Sequence, residues 1–214
     1  MEKSKYYDAL HYFKLNLNLI ETLNTSNFMT SGAHNIGVMT YHLGDKYQAK
    51  SYYIKALKYS DETGNRINKC KAMSDLAMLE YNEKNVSEAL SLLLEALEIA
   101  RLSQNTNQVS RILYNLSLIY ISNGEFDKAL NYALESREIG IRMNNLRTQS
   151  FVNNIIAQIY IKINKFKLAE ELIRENILHQ KKIEDIEGVA NSYGLLGTLN
   201  KIQRKYSEAG ENFH

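Results

Sequence analysis

Side-chain amides are the groups of this chain best suited to specific chemistry. Asn35, Asn115, Asn154 and Gln158 each carry a carboxamide. A carboxamide can bond a peptide C=O and a peptide N–H, so it can grip a main chain without reading its sequence. Lys71, Arg111 and Lys162 could meet an acidic side chain or a C-terminal carboxylate. Tyr81 and Tyr114 offer rigid amphipathic contact area, and Asp75 stands among them. This is the chemistry of recognition. Catalytic chemistry finds less support. The five histidines, His11, His34, His42, His179 and His214, show no metal-ligand spacing. His34 and His42 lie eight apart, ~12 Å along a helix, too far to share an ion. No GxxxxGK[ST] or GxGxxG phosphate loop occurs, and nothing places Ser, His and Asp as a triad. No catalytic residue, metal site or cofactor is assigned.

These candidates can share one surface only if the elements that carry them repeat. Ala9, Ala49, Ala89, Ala129, Ala169 and Ala209 are each 40 residues apart, without interruption. Thirteen positions before them stand Ile36, Leu76, Leu116, Ile156 and Leu196. The next positions are Gly37, Ala77, Ser117, Ala157 and Gly197. A large aliphatic followed by a small residue is what two closely crossing helices need. Seven positions after the alanines, Ala56, Ala96 and Ser136 are small again, and the pattern decays at Asn176. Thr25, Asn65, Asn105, Asn145 and Asp185 keep the same step and are of types that cap helix N-termini. Breaks inside each unit fall at Gly44-Asp45, Lys84-Asn85, Gly124-Glu125, Asn164-Lys165 and Arg204-Lys205.

The spacing predicts first helices over 26–42, 66–83, 106–122, 146–163 and 186–202. Second helices are predicted over 5–22, 46–63, 86–103, 126–143 and 166–182, with another starting at 205. The units are then 25–64, 65–104, 105–144 and 145–184, flanked by a second helix in 1–24 and an incomplete unit in 185–214. Proline, the strongest helix breaker, is absent from all 214 residues. Cys70, the single cysteine, shares its column with Thr30, Ser110, Ser150 and Ala190, so it reads as a small packing residue. The 15 tyrosines recur at helical spacing, with Tyr41, Tyr81, Tyr120 and Tyr160 near the ends of first helices, and read as packing.

In the third unit, Leu116, Ser117, Tyr120, Gly124, Phe126, Ala129 and Ala133 resemble the tetratricopeptide repeat pattern. The usual unit is about 34 residues and this one is 40. The added length is ~9 Å per unit if all helical. The usual closing proline is missing. The 40-residue variety is similar to that of bacterial peptide-pheromone receptors of the Rap, NprR and PlcR group and of some eukaryotic scaffold proteins. The resemblance implies an all-α, right-handed α-solenoid of antiparallel helix pairs. It also implies a concave groove lined by first helices, in which a peptide or protein partner lies. By register, the inward-facing set is His34, Asn35, Tyr41 and His42 in the first full unit, Lys71, Ser74, Asp75, Met78 and Tyr81 in the second, Arg111, Tyr114, Asn115 and Leu118 in the third, Asn154, Gln158 and Lys162 in the fourth, and Asn191 and Thr198 in the fifth; the peptide-contact candidates among them are Asn35, Lys71, Asp75, Tyr81, Arg111, Tyr114, Asn115, Asn154 and Gln158.

The implied function is a peptide- or protein-binding module, the sensor or interaction part of a bacterial regulator of the quorum-sensing kind. The alternatives are an assembly scaffold with no small peptide ligand and, less favoured, part of a response-regulator phosphatase. The net charge of +2 suggests neither a nucleic-acid nor a membrane partner. The N-terminus has no apolar stretch suited to a signal peptide, and one cysteine suits a reducing compartment, so a cytoplasmic location is expected. The array starts and stops in mid-unit. That suggests a piece of a longer protein, a truncated reading frame, or a homo-oligomer completed through its open ends.

Overall fold

The helices that open the later repeats begin where a polar side chain accepts a backbone N–H, and most helices end where one residue turns left-handed. A computed structural model describes residues 2–23 and 28–211, with side chains over 6–23 and 28–204. Among the described residues there are ten helices and no strand. They are α1 (Glu2–Thr22), α2 (Met29–His42), α3 (Lys46–Thr63), α4 (Arg66–Asn82), α5 (Val86–Leu102), α6 (Thr106–Ser122), α7 (Phe126–Arg142), α8 (Leu146–Lys162), α9 (Phe166–Lys182) and α10 (Ile186–Glu211). Asn65 accepts from the Asn68 N–H at 3.1 Å, Asn105 from Gln108 at 3.2 Å, Asn145 from Thr148 at 3.0 Å and Asp185 from Gly188 at 3.0 Å. Each satisfies one of the donors that a helix start leaves open. The capping residue expected at Thr25 lies outside the described residues.

The stops are as regular as the starts. Gly44, Gly64, Lys84, Gln104, Gly124, Asn144, Asn164 and Glu184 all have positive φ, between 50° and 93°. They are spaced 20 residues apart. The N–H after each reaches five residues back, as in Asp45 to Thr40 at 3.0 Å and Lys165 to Tyr160 at 2.8 Å. This closes the last helical turn on otherwise unpaired carbonyls. The helices α4 to α9 are accordingly all 17 residues long.

One expected break does not form. The spacing places a turn at Arg204-Lys205, yet α10 continues as one helix to Glu211. A left-handed residue other than glycine costs ~1–2 kcal/mol. In the earlier turns the docking of the next helix offsets that cost. Among the described residues no helix docks after Arg204, and the backbone runs straight through the position.

The chain packs as two compact units, Met1–Asn115 and Leu116–His214, with the boundary inside α6. In the first unit α1 packs on α2, α2 on α3, α3 on α4 and α4 on α5, and α2 also touches α4. In the second unit α7 packs on α8, α8 on α9 and α9 on α10, and α8 also touches α10. First-type helices therefore meet directly within each unit, α2 with α4 in the first and α8 with α10 in the second. Among the described residues no contact joins α3 to α5 or α7 to α9. Within each unit the first-type helices form the inner layer and the second-type helices the outer one.

The column of small residues makes this layering possible. Ala49 and Ala89 in the first unit, and Ala129 and Ala169 in the second, are fully buried. A Cβ added at Gly37 would come within 2.6 Å of the Tyr53 ring, so only glycine fits that crossing. Apolar clusters fill the rest. In the first unit Leu17, Ala33, Ile36, Ala56 and Ala72 form one, and Ala49, Tyr53, Leu76 and Leu79 another. In the second unit Ala157, Ile161, Ala169, Ile173, Ile177 and Leu199 pack together. Cys70 is buried, its Sγ 3.5 Å from the Ala96 carbonyl, and burial pushes its thiol pKa up. It is a packing residue.

Candidate partner-binding surface

In the inner layer of the first unit, the repeat of 40 becomes a contact offset of 41. His34 Nε2 lies 2.7 Å from Asp75 Oδ2. Asn115 Nδ2 donates to Ser74 Oγ at 3.0 Å, and Asn82 Nδ2 to the Tyr41 hydroxyl at 3.2 Å. Each pair joins one first-type helix to the next, one residue further along than the repeat. Arg111 completes the ladder: its guanidinium is 3.1 Å from Asp75 Oδ1 and 3.5 Å from the Lys71 carbonyl. Asp75 thus takes a histidine on one oxygen and an arginine on the other. The carboxylate is half-buried, so its charge is compensated where water reaches it poorly.

Beside this ladder is a recess of about 180 Å³, lined by Val38, Tyr41, His42, Tyr53, Asp75 and Met78. Tyr53 forms part of its wall, with its ring 5.9 Å from that of His34. Burial, and then the Asp75 charge, push the Tyr53 phenol far above its ordinary range, so it stays a neutral donor. A recess of this size admits one side chain. Val38 and Met78 make it apolar, and Asp75, His42 and the two tyrosines add polar character.

The residues singled out from the sequence fall into distinct settings, and Lys162 is exposed at the end of α8. Asn35 is half-exposed, and its carboxamide has no hydrogen bond among the described residues. The Lys71 ammonium, also half-exposed, has no ion-pair partner there. Asp75 and Arg111 are joined to each other. Tyr81 and Tyr114 are half-buried, and burial pushes the Tyr114 phenol up. Asn115 is 9% exposed and already committed to Ser74.

In the second unit, Gln158 on α8 is half-exposed with its amide unengaged among the described residues. Asn154 on the same helix is 8% exposed. Its Oδ1 accepts from Asn176 Nδ2 at 2.8 Å and from Ser192 Oγ at 2.8 Å. The amides of Asn115 and Asn154 therefore hold helices together, whereas those of Asn35 and Gln158 are open to a partner.

The network around Asn154 was not read from the sequence. Asn176 also donates to the Ser150 carbonyl at 3.0 Å and accepts from Asn153 Nδ2 at 3.4 Å. Ser192 Oγ also lies 2.8 Å from Gln180 Oε1, so its one proton is shared between that oxygen and Asn154 Oδ1. Asn176 and Gln180 are fully buried in columns held elsewhere by Ala56, Ala96 and Ser136, and by Ser60, Ala100 and Gly140. That substitution of polar for small was the available signal.

A family model for the tetratricopeptide repeat matches residues 28–101 and 68–141, together more than half of the chain. No curated protein sequence matches. Among solved structures, the chain is similar to BtubC (BKLC) from P. vanneervenii, with a TM-score of 0.75 and 18% identity over 86% of this chain and 76% of that one. It is similar to aspartyl phosphate phosphatase F from Bacillus subtilis, with a TM-score of 0.76 and 17% identity over 96% of this chain and 58% of that one. It is also similar to a Rap protein complexed with Competence and Sporulation Factor, with a TM-score of 0.75 and 17% identity over 93% and 61%. The chain thus spans about three fifths of the length of the last two. At these identities the likeness establishes an all-α fold of the α-solenoid type. With the repeat columns, the layered helix pairs and the family match agreeing, the chain belongs to the tetratricopeptide repeat family.

Proposed function

We propose that the chain is the peptide- or protein-binding part of a bacterial regulator, and that it takes its partner on the inner layer of first-type helices. The observation that carries this reading is the arrangement in the first unit. The ladder of His34, Asp75 and Arg111 holds three helices rigidly beside a one-side-chain recess. Flanking it, Lys71 and Asn35 keep an ammonium and a carboxamide unengaged. Pre-positioned polar groups beside an apolar pocket are what recognition of a short peptide requires. The likeness to a Rap protein complexed with Competence and Sporulation Factor supports a peptide as the occupant. The likeness to an aspartyl phosphate phosphatase supports no catalytic role for the residues of this chain, because it rests on fold alone.

The test is thermal melting of the full chain against pools of short synthetic peptides. A specific peptide raises the midpoint by mass action, about 2.7 kcal/mol at a hundredfold excess over Kd. Asn35→Ala and Lys71→Ala should weaken that shift while leaving the unliganded midpoint in place. Unchanged shifts in both variants would remove the partner from this surface. A second reading, an adaptor with no peptide ligand, is favoured by Ile54 and Leu94. They are large apolar residues of one column, exposed on the outer helices α3 and α5. It predicts no peptide shift and binding of a protein that Leu94→Lys abolishes.

A further inference from the structure

We infer that the recess of the first unit takes a glutamine side chain of the bound partner, its carboxamide oxygen accepting from Tyr53 and its amide nitrogen donating to Asp75. The inference rests on the peptide-binding reading above and gives that reading a side-chain specificity. The observation behind it is one unused hydroxyl. Tyr53 lines the recess and is only 3% exposed. Its hydroxyl has no hydrogen-bond partner among the described residues, yet solvent still reaches the oxygen. A polar group of a buried side chain is costly to leave without a partner, and native folds keep few of them. The ring is held in place by tight packing on Gly37, where an added Cβ would come within 2.6 Å of it.

The other polar groups of the recess define the occupant. Burial first, and then the charge of Asp75, push the Tyr53 phenol up, so it keeps its proton and donates. The Tyr41 hydroxyl accepts from Asn82 Nδ2 at 3.2 Å, which leaves its own proton to donate as well. Asp75 is the acceptor. Each of its oxygens holds one partner, His34 or Arg111, and a carboxylate oxygen can accept more than one bond. The occupant must therefore accept from phenols and donate to a carboxylate at once.

A carboxamide does both, with an acceptor oxygen and two N–H donors in one plane. Glutamine also carries two methylenes, which suit the apolar walls at Val38 and Met78. The surroundings disfavour the alternatives. A carboxylate would meet the like charge of Asp75. An ammonium would meet Arg111, whose guanidinium, 3.1 Å from Asp75 Oδ1, already compensates that charge. An aliphatic or thioether side chain would fill the recess but strip the phenolic protons of water and give them no acceptor. A serine or threonine hydroxyl would leave most of the 180 Å³ unfilled.

The test is a titration of the full chain, followed by NMR of isotope-labelled tyrosine rings. The probes are the N-acetyl, N-methylamide derivatives of glutamine, glutamate, methionine and lysine, which are similar in length. The glutamine probe should move the Tyr53 and Tyr41 ring signals, and the others should need about tenfold higher concentration. Tyr53→Phe keeps the ring and removes the hydroxyl, so circular dichroism should show an intact fold. Read at Tyr41, it should weaken the glutamine probe about tenfold and leave the methionine probe unchanged. Asp75→Asn should narrow the gap between glutamine and glutamate, and it decides the matter if Tyr53→Phe does not fold. The inference is overturned if another probe binds as tightly as glutamine, if no probe moves either signal, or if the variants that fold leave these preferences unaltered. These outcomes are separate from the melting experiment. A chain stabilised by peptides but indifferent to glutamine loses this inference alone. A chain that takes the glutamine probe but no peptide keeps its carboxamide site and loses the peptide reading.

Discussion

Asp75 shows how one side chain can serve both packing and recognition. Bonded to His34 from α2 and Arg111 from α6, it locks neighbouring first-type helices in register. Asp75→Ala should lower stability by about 1–2 kcal/mol, read from the urea midpoint. Adding His34→Ala should cost less on that background than alone, because the pair is already broken. The buried amide network gives a sharper case. Asn176→Ala restores the small residue of its column but strips Asn153 of its partner and Asn154 of one of its two. It should cost about 1–3 kcal/mol, and Asn153→Leu on top should recover part of it by removing a group left unpaired. Glu80 reports on acid. Its burial alone would raise its pKa, but Lys50 at 2.6 Å and Asn85 at 2.8 Å hold it below the ordinary 4.5. The folded carboxyl therefore binds its proton less readily than the unfolded one. Its stabilisation is complete above pH 4.5 and is lost as pH falls through the lower folded value. Glu80→Gln should make the fall in unfolding free energy below pH 4.5 shallower.

The helices were legible because three independent columns kept one period: small residues for crossings, aliphatics beside them and caps at the starts. The period gave the positions of the stops at Gly44, Lys84, Gly124 and Asn164, but not their left-handed conformation at residues other than glycine. Lys84, Gln104 and Glu184 adopt the same conformation against their own preference, because the docking of the next helix dictates it. Those positions should gain from glycine. Lys84→Gly or Gln104→Gly is expected to raise stability by up to about 1 kcal/mol in chemical denaturation, and Gly124→Ala to lower it by about 1–2 kcal/mol. The break expected at Arg204 does not form among the described residues, where α10 runs on to Glu211, so a sequence period by itself does not enforce a turn. Pairings between first-type helices were hidden as well. His34 and Asp75 were both placed on the inner face, but an offset of 41 is a property of how helices slide on packing and not of the repeat itself.

In a stacked array, stability is approximately a sum of local terms and nearest-neighbour interfaces. Hydrogen exchange should therefore be graded along the chain. Amides of α4, packed against α2, α3 and α5, should exchange more slowly than those of α10, where Tyr193 is exposed and Ser192 belongs to a buried polar network. What the sequence left unread at this scale was which inner-face amides are free, because that depends on the neighbour each meets across the layer. The even spacing of the left-handed residues has a consequence for how such a chain can change in length. A helix rotates about 100° per residue, so removing one residue from any 17-residue helix would swing every side chain beyond it away from its column. Removing or duplicating a block of 40 would return every downstream residue to an equivalent place. Growth by whole blocks is thus nearly neutral for this protein, while a single-codon deletion in a helix is among the most damaging changes it could suffer.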